Sequence, residues 1–191
     1  MKKMLLAVAA CLLATCLPAF AQNGGWEVSL GVSLPGYDRF TNIAEINTVK
    51  DPGGKVSRLI LPAFSVQGGY IFPQAHLGLF LSGGLSYAQA RYTGGPSPLL
   101  EREPVFYLMP QLRLYYKNSP RLRLYAFAGA GVRIRHFAET FDGSTLSETN
   151  CSFAWQFSPF GMSVGERWAF SFDFGTGFAW MGAQLSVGYR F

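Results

Sequence analysis

The sequence predicts an all-β protein: a closed, eight-stranded, antiparallel up-and-down β-barrel that crosses a membrane. Three observations predict it. Eight stretches alternate apolar with small or polar residues at a period of two, the spacing at which successive side chains of a strand point to opposite faces. Charged residues are 14% of the 191, against about 25% in typical globular chains. Glycine is abundant, at 22 residues, and falls largely on the polar face, with serine and glutamine.

The chain opens with "MKKMLLAVAACLLATCLPAFAQ". A basic start at Lys2 and Lys3, an apolar stretch from Met4 to Leu17 and the small-x-small site Ala19-Phe20-Ala21 make this a secretory signal, cut between Ala21 and Gln22. An uncleaved anchor fits less well, because the stretch is short for a span. Lipoprotein processing at Cys11 fits less well too, since the apolar core before it is shorter still. One domain is then expected over 22–191, with Cys151 as its single thiol, so an internal disulfide has no part in its stability.

The first two-faced stretch, "WEVSLGVSL", sets Trp26, Val28, Leu30, Val32 and Leu34 against Glu27, Ser29, Gly31 and Ser33. The second, about Arg58–Tyr70, opposes Ile60, Phe64, Val66 and Tyr70 to Ala63, Ser65, Gln67 and Gly69. In the third, Leu77, Leu79, Leu81, Leu85 and Tyr87 face away from His76, Gly78, Ser82, Gly84 and Ser86. The fourth, about Val105–Lys117, carries Phe106, Leu108, Leu112, Leu114 and Tyr116 against Tyr107, Gln111, Arg113 and Tyr115. The fifth, about Arg121–His136, sets an aliphatic row from Leu122 to Ile134 against Arg123, Gly129, Gly131, Arg133 and Arg135. The sixth, near Cys151–Met162, shows Phe153, Trp155 and Phe157 and loses its rhythm at Pro159. The seventh carries Trp168, Phe170, Phe172 and Phe174. The eighth, "QLSVGYRF", ends the sequence with Leu185, Val187, Tyr189 and Phe191 in alternation.

Connections alternate in length. Short turns are expected around Pro73-Gln74, Asn118-Ser119-Pro120 and Gly165-Glu166; longer loops are expected over Tyr37–Ser57, Thr93–Pro104, Ala138–Asn150 and, more briefly, Thr176–Gly182. An even number of strands with short turns at one end and long loops at the other is the pattern of a closed meander.

Composition of the polar face decides which side is wet. A water-facing surface would be rich in Lys, Glu and Thr, whereas this one is mostly Gly, Ala, Ser and Gln. Small residues suit the crowded bore of an eight-stranded barrel. The large apolar face must then point outward into lipid, and it carries no charged residue in the stretches named. Aromatics sort to match: Trp26, Tyr70, Tyr116, Trp168 and Tyr189 at the short-turn end, Tyr87, Phe106 and Trp155 at the long-loop end, as interfacial girdles require.

On these residues the sequence resembles the small eight-stranded outer-membrane barrels of Gram-negative bacteria, the OmpA/OmpX type, over essentially all of Trp26–Phe191. The resemblance implies residence in the outer membrane as a monomer embedded in outer-membrane lipid. It also implies that the last strand, with its terminal Phe191, is read by the barrel-assembly machinery, and that the long loops can meet surface partners.

Pro62, Pro110 and Pro159 fall inside expected strands, where proline removes a ladder hydrogen bond; bulges or shorter strands are expected there. On the bore face, Glu27 and Arg190 should meet if the first strand pairs with the last. The charges there read as a plug, not an anion path. No catalytic, metal or cofactor signature occurs: the sequence has no CxxC, HExxH or P-loop pattern, and "GAGVRI" has no strand–turn–helix setting. Modest net charge, +5 over the full chain, gives no reason to invoke nucleic acid.

The function expected is structural and surface-displaying, through adhesion or envelope integrity, with a filled, non-conducting bore. The alternatives are a narrow conduit for small hydrophobic molecules and a lipid A-modifying enzyme. For the enzyme, a turn at Gly143-Ser144 would bring His136 opposite Cys151, though no acid or serine completes a triad. The same register would continue Ala138–Asn150 as a hairpin, with Glu139 facing Glu148.

Overall fold

The structure, a computed structural model, describes residues 25–35, 55–72, 75–93, 99–141 and 144–191. The leader, the Ala21/Gln22 cut that would begin the domain, the Pro73-Gln74 turn and most of the first long loop lie outside the described residues. Among the described residues nine antiparallel strands form: β1 (Gly25–Pro35), β2 (Lys55–Ile60), β3 (Ala63–Phe72), β4 (Leu77–Thr93), β5 (Leu99–Asn118), β6 (Leu122–Phe141), β7 (Ser144–Val164), β8 (Trp168–Gly177) and β9 (Trp180–Arg190). Eight of them make the ring β1-β3-β4-β5-β6-β7-β8-β9, and β9 returns to β1 from Glu27↔Arg190 to Ser33↔Gln184. The Phe191 N–H donates to the Trp26 carbonyl at 3.0 Å, which ties down the last residue.

The bore is polar and the outer wall apolar. Glu27, Ser29, Ser65, Gln67, Ser82, Gln111, Arg113, Gln156, Asp173 and Gln184 are buried, whereas Leu30, Phe64, Leu108, Phe153, Phe170 and Leu185 are exposed. A soluble fold has the reverse arrangement, and lipid covers the difference. The lower girdle closes ring on ring: Trp26 and Tyr70 lie 5.2 Å apart, Trp168 and Tyr189 5.2 Å, Tyr189 and Phe191 5.0 Å, all edge to face.

Each proline has its accommodation. β2 and β3 are two halves of one barrel strand, slipped by one residue at Leu61-Pro62: β4 pairs Ile60↔Ala88 but Phe64↔Leu85. Pro159 sits in a bulge of β7 that shifts register against both neighbours, between Tyr125 and Phe127 on β6 and between Phe157 and Phe160 on β7 itself. The Ser158 hydroxyl, turned to the bulge, bonds the Phe160 and Phe174 carbonyls at 2.9 and 2.8 Å. At Pro110 the register holds, but the ladder to β6 lapses between Leu108↔Val132 and Gln111↔Gly129.

The four expected long loops are shorter than the composition suggested. Lys55–Ser57, Leu99–Pro104 and Ala138–Asn150 are strand, apart from Asp142 and Gly143, which lie outside the described residues; the Thr176–Gly182 loop shrinks to Phe178-Ala179 between β8 and β9. Backbone hydrogen bonding wins here over side-chain polarity, because neighbouring strands already offer a template.

Of the short turns, the one between β7 and β8 has Gly165 at φ 125°, where an added Cβ would lie 2.0 Å from the Trp168 carbonyl. Arg121 and Glu166 pair across adjacent turns at 2.6 Å, fully exposed, and the guanidinium holds the carboxyl below its ordinary range. The sign gives a stabilisation present above the unfolded carboxylate pKa and lost as pH falls through the folded one. Solvent screens so open a pair, so Arg121→Ala is expected to leave the urea unfolding midpoint where it is.

Candidate functional site: a filled bore beneath a projecting sheet

At the short-turn end of the bore one carboxylate gathers three guanidinium groups. Glu27 on β1 accepts from Arg190 Nε at 2.8 Å and Arg123 Nη1 at 3.2 Å, with Arg113 Nη1 at 3.6 Å. The expected Glu27–Arg190 pair is thus present, and the structure adds two partners from the opposite wall. Arg190 spends its remaining donors on the Gly165 carbonyl and the Ser163 hydroxyl, both at 2.5 Å, and on the Pro120 carbonyl at 3.2 Å. Arg113 donates to Gln67 and lies over the Phe80 ring at 3.8 Å, with Tyr125 at 4.9 Å. Aromatic faces are favourable neighbours for a guanidinium removed from water.

Above this cluster the bore is packed solid. Tyr125, Phe127, Met109 and Trp180 are all but fully buried, with the Phe127 and Trp180 rings 6.3 Å apart. Gln156 bonds the Trp180 backbone in both directions, donating to its carbonyl at 3.1 Å and accepting its N–H at 3.3 Å. Gln184 bonds Ser65 at 2.7 Å. Near the rim Arg133 stacks on Phe178 at 4.5 Å and donates to Ser152 at 2.9 Å, while Arg135 faces Glu103 at 3.9 Å. The arginines of the bore are held by carboxylates, carbonyls and rings, the arrangement of a plug.

A transmembrane strand needs about 9–11 residues, and β6 and β7 have 20 and 21. Their upper parts, with the upper parts of β4 and β5 and all of β2, continue as a sheet of order β2-β4-β5-β6-β7. The β6–β7 ladder runs unbroken from Phe127↔Ser158 to Phe141↔Ser144, so Ala138–Phe141 and Ser144–Asn150 are the paired arms of a hairpin. Its register differs from the expected one by two residues. Glu139 faces Leu146 and Phe137 faces Glu148, which removes the like-charge pair that argued against a hairpin. His136 faces Thr149, with Nδ1 and Oγ1 2.8 Å apart, and Cys151 pairs with Ile134. The two residues of the enzymatic alternative are therefore not opposite one another. Among the described residues no group of His, Cys, Asp and Glu is placed to hold a metal ion.

A family model for the outer membrane protein β-barrel domain matches residues 7–191. The chain belongs to that family. It is accordingly an integral protein of the outer membrane of a Gram-negative bacterium. Among solved structures it is similar to Ail, the attachment invasion locus protein of Yersinia pestis, at 12% identity and a TM-score of 0.55, covering 89% of this chain and 100% of that one. The same protein in complex with the heparin analogue sucrose octasulfate gives 0.50 over the same shares, also at 12% identity. The N-terminal β-barrel domain of Pseudomonas aeruginosa OprF gives 0.37 at 15% identity, over 88% of this chain and 100% of that one. No curated protein matches. At these identities the likeness is one of fold.

One side chain of this bore lies outside the stretches read from the sequence, and one contact has no local signal. Trp180 shares the inward parity of Gln184 and Ser186 and stands four residues ahead of the last two-faced stretch. That Arg113 and Arg123 reach Glu27 across the barrel had no signal in strand-by-strand periodicity, because it depends on how far the closed sheet is sheared.

Proposed function

We propose that this outer-membrane barrel is a display scaffold: its plugged cylinder anchors the projecting sheet, and the free edge of β7 takes up an extended segment of a surface partner by strand addition. One observation carries this. β7 pairs with β8 only from Gln156 downward, so among the described residues no strand lies beside Ser144–Ala154 on that side. Such an edge presents a row of unpaired N–H and C=O groups. The segment "STLSETNCS", Ser144–Ser152, contains none of the lysines or prolines that blunt exposed edges, and Leu146 is 75% exposed. Support of a coarser kind comes from the similarity to a protein named for attachment and invasion.

Residues 138–150 can be replaced by Asp-Gly and the resulting cells scored for adhesion and for detergent sensitivity. Adhesion is expected to fall at least tenfold with heat-modifiable electrophoretic mobility and detergent resistance retained. Unchanged adhesion removes the reading; intact adhesion with detergent-sensitive cells transfers the role to envelope integrity. The plugged bore adds an expectation of its own: planar-bilayer recordings show no steady conductance.

A further inference from the structure

We propose that the outward face of β4, β5 and β6, at and just above the upper aromatic ring, binds a phosphate-bearing glycolipid of the outer leaflet, with Arg91 and Arg102 on the phosphate and an acyl chain in a hollow of the wall below. Two independent features point there, one electrostatic and one steric.

The electrostatic feature is a sorting of charge between the two faces of the projecting sheet. Arg91 and Arg102 are exposed and outward. The pairs Gln89↔Arg102 and Arg91↔Leu100 make them diagonal neighbours, with backbones about 7–8 Å apart, a separation at which two guanidinium groups can flank one phosphate. His136 continues the diagonal on β6, two residues before the Ala138 that pairs with Arg102. Glu101, Glu103 and Glu139 on the same strands, and Glu148 on β7, all have inward parity, and among the described residues no carboxylate pairs with Arg91 or Arg102. The outer face is thus cationic without compensation. It stands one step above the Tyr87↔Pro104 pair, where the aromatic ring marks the headgroup level. Arginine is the residue that matches phosphate in a forked geometry, and the leaflet at the long-loop end of an outer-membrane barrel is the one built of phosphorylated glycolipid.

The steric feature is a pair of glycines that crowding does not explain. Inward glycines are close-packed: a Cβ on Gly131 would lie 2.2 Å from the Leu108 carbonyl, and one on Gly69 2.4 Å from the Leu79 carbonyl. Outward, a Cβ on Gly68 would meet nothing nearer than 3.9 Å and one on Gly83 nothing nearer than 3.5 Å. These two floor a hollow of about 900 Å³ walled by Val28, Leu30, Val66, Leu81, Leu85 and Leu108 and open to lipid. Leu108 is six residues below Arg102, roughly 20 Å along the strand and about 14 Å in depth at a 45° tilt, close to half the hydrocarbon thickness. A headgroup on the arginines would therefore place the ends of its chains at the hollow.

The test uses the full chain refolded in phosphatidylcholine nanodiscs, with bisphosphorylated lipid A as the probe and bound lipid read by native mass spectrometry. Arg91→Gln/Arg102→Gln, which keeps exposed polar side chains and so preserves folding, is expected to weaken retention at least tenfold. Dephosphorylated lipid A should bind the unaltered protein no better than phosphorylated lipid A binds that variant. Gly68→Leu/Gly83→Leu should weaken retention severalfold while leaving the dependence on phosphate intact. Equal retention by the arginine variant, or of dephosphorylated lipid, overturns the proposal, and an unaffected glycine variant overturns its acyl-chain half. Displacement of lipid A by equimolar inorganic phosphate or sucrose octasulfate would assign the cations to soluble anions and overturn it as well.

Discussion

Replacing Glu27 by alanine is expected to destabilise the refolded barrel by about 3–5 kcal/mol, the range for removing one partner of a buried ion pair. Glu27 is 3% exposed and is shared by Arg190, Arg123 and Arg113, whose side chains are 7%, 15% and 3% exposed. Arg190 and Arg113 have other acceptors or rings, but among the described residues none of the three has another carboxylate within 4 Å. Without Glu27, three cations would share one end of a narrow bore with no carboxylate within 4 Å to offset their repulsion. Urea unfolding of the chain refolded in short-chain lipid bilayers, followed by tryptophan fluorescence, measures the loss. Arg190→Ala alone should cost less, since it removes one of three cations along with its carbonyl and hydroxyl bonds. The Glu27→Ala/Arg190→Ala pair should fall short of additivity by about 0.5–3 kcal/mol. Strict additivity, or a Glu27→Ala loss below about 1 kcal/mol, would mean that water reaches this cluster and that the bore is not plugged there.

This prediction separates what a linear sequence carries from what only closure supplies. The Glu27–Arg190 contact was legible because it follows from one topological statement, that the first strand pairs with the last. Periodicity placed both residues on the inner face, and the ends of the two strands brought them together. Arg113 and Arg123 stand on β5 and β6, on the far wall. Their approach to Glu27 depends on the stagger of the whole ring, and no local pattern encodes that.

The prolines divide in the same way. Pro62 and Pro159 announced irregularity, and both coincide with one-residue slips in register. Whether a slip or a mere lapse in the ladder results, as at Pro110, depends on the neighbouring strands. The hairpin of β6 and β7 illustrates a misweighed signal. Asp142-Gly143 is among the dipeptides most favoured between hairpin strands, and the turn expected at Gly143-Ser144 lies one residue beyond it. A one-residue displacement of a turn moves the pairing by two, and it was enough to set Glu139 against Glu148 and His136 against Cys151. With Phe141↔Ser144 closing the ladder, both oppositions vanish.

Leu30→Arg tests the inversion on which the reading of the wall depends. Leu30 is 64% exposed at the middle of β1, facing outward between Val66 of β3 and Val187 of β9. On the surface of a soluble barrel an arginine there would change stability by no more than about 0.5 kcal/mol. In a bilayer the guanidinium has to leave water at the midplane, which costs about 2–4 kcal/mol on the lipid face of a barrel. The same substitution at Leu34, outward and 53% exposed near the upper end of the strand, should cost about 0–1 kcal/mol, because the side chain can reach the headgroups. Similar exposure with unequal cost is a signature that water alone cannot produce. Urea unfolding of the two variants in the same bilayers gives the comparison directly. A small and equal effect at both positions would place the apolar face of this chain against something other than lipid.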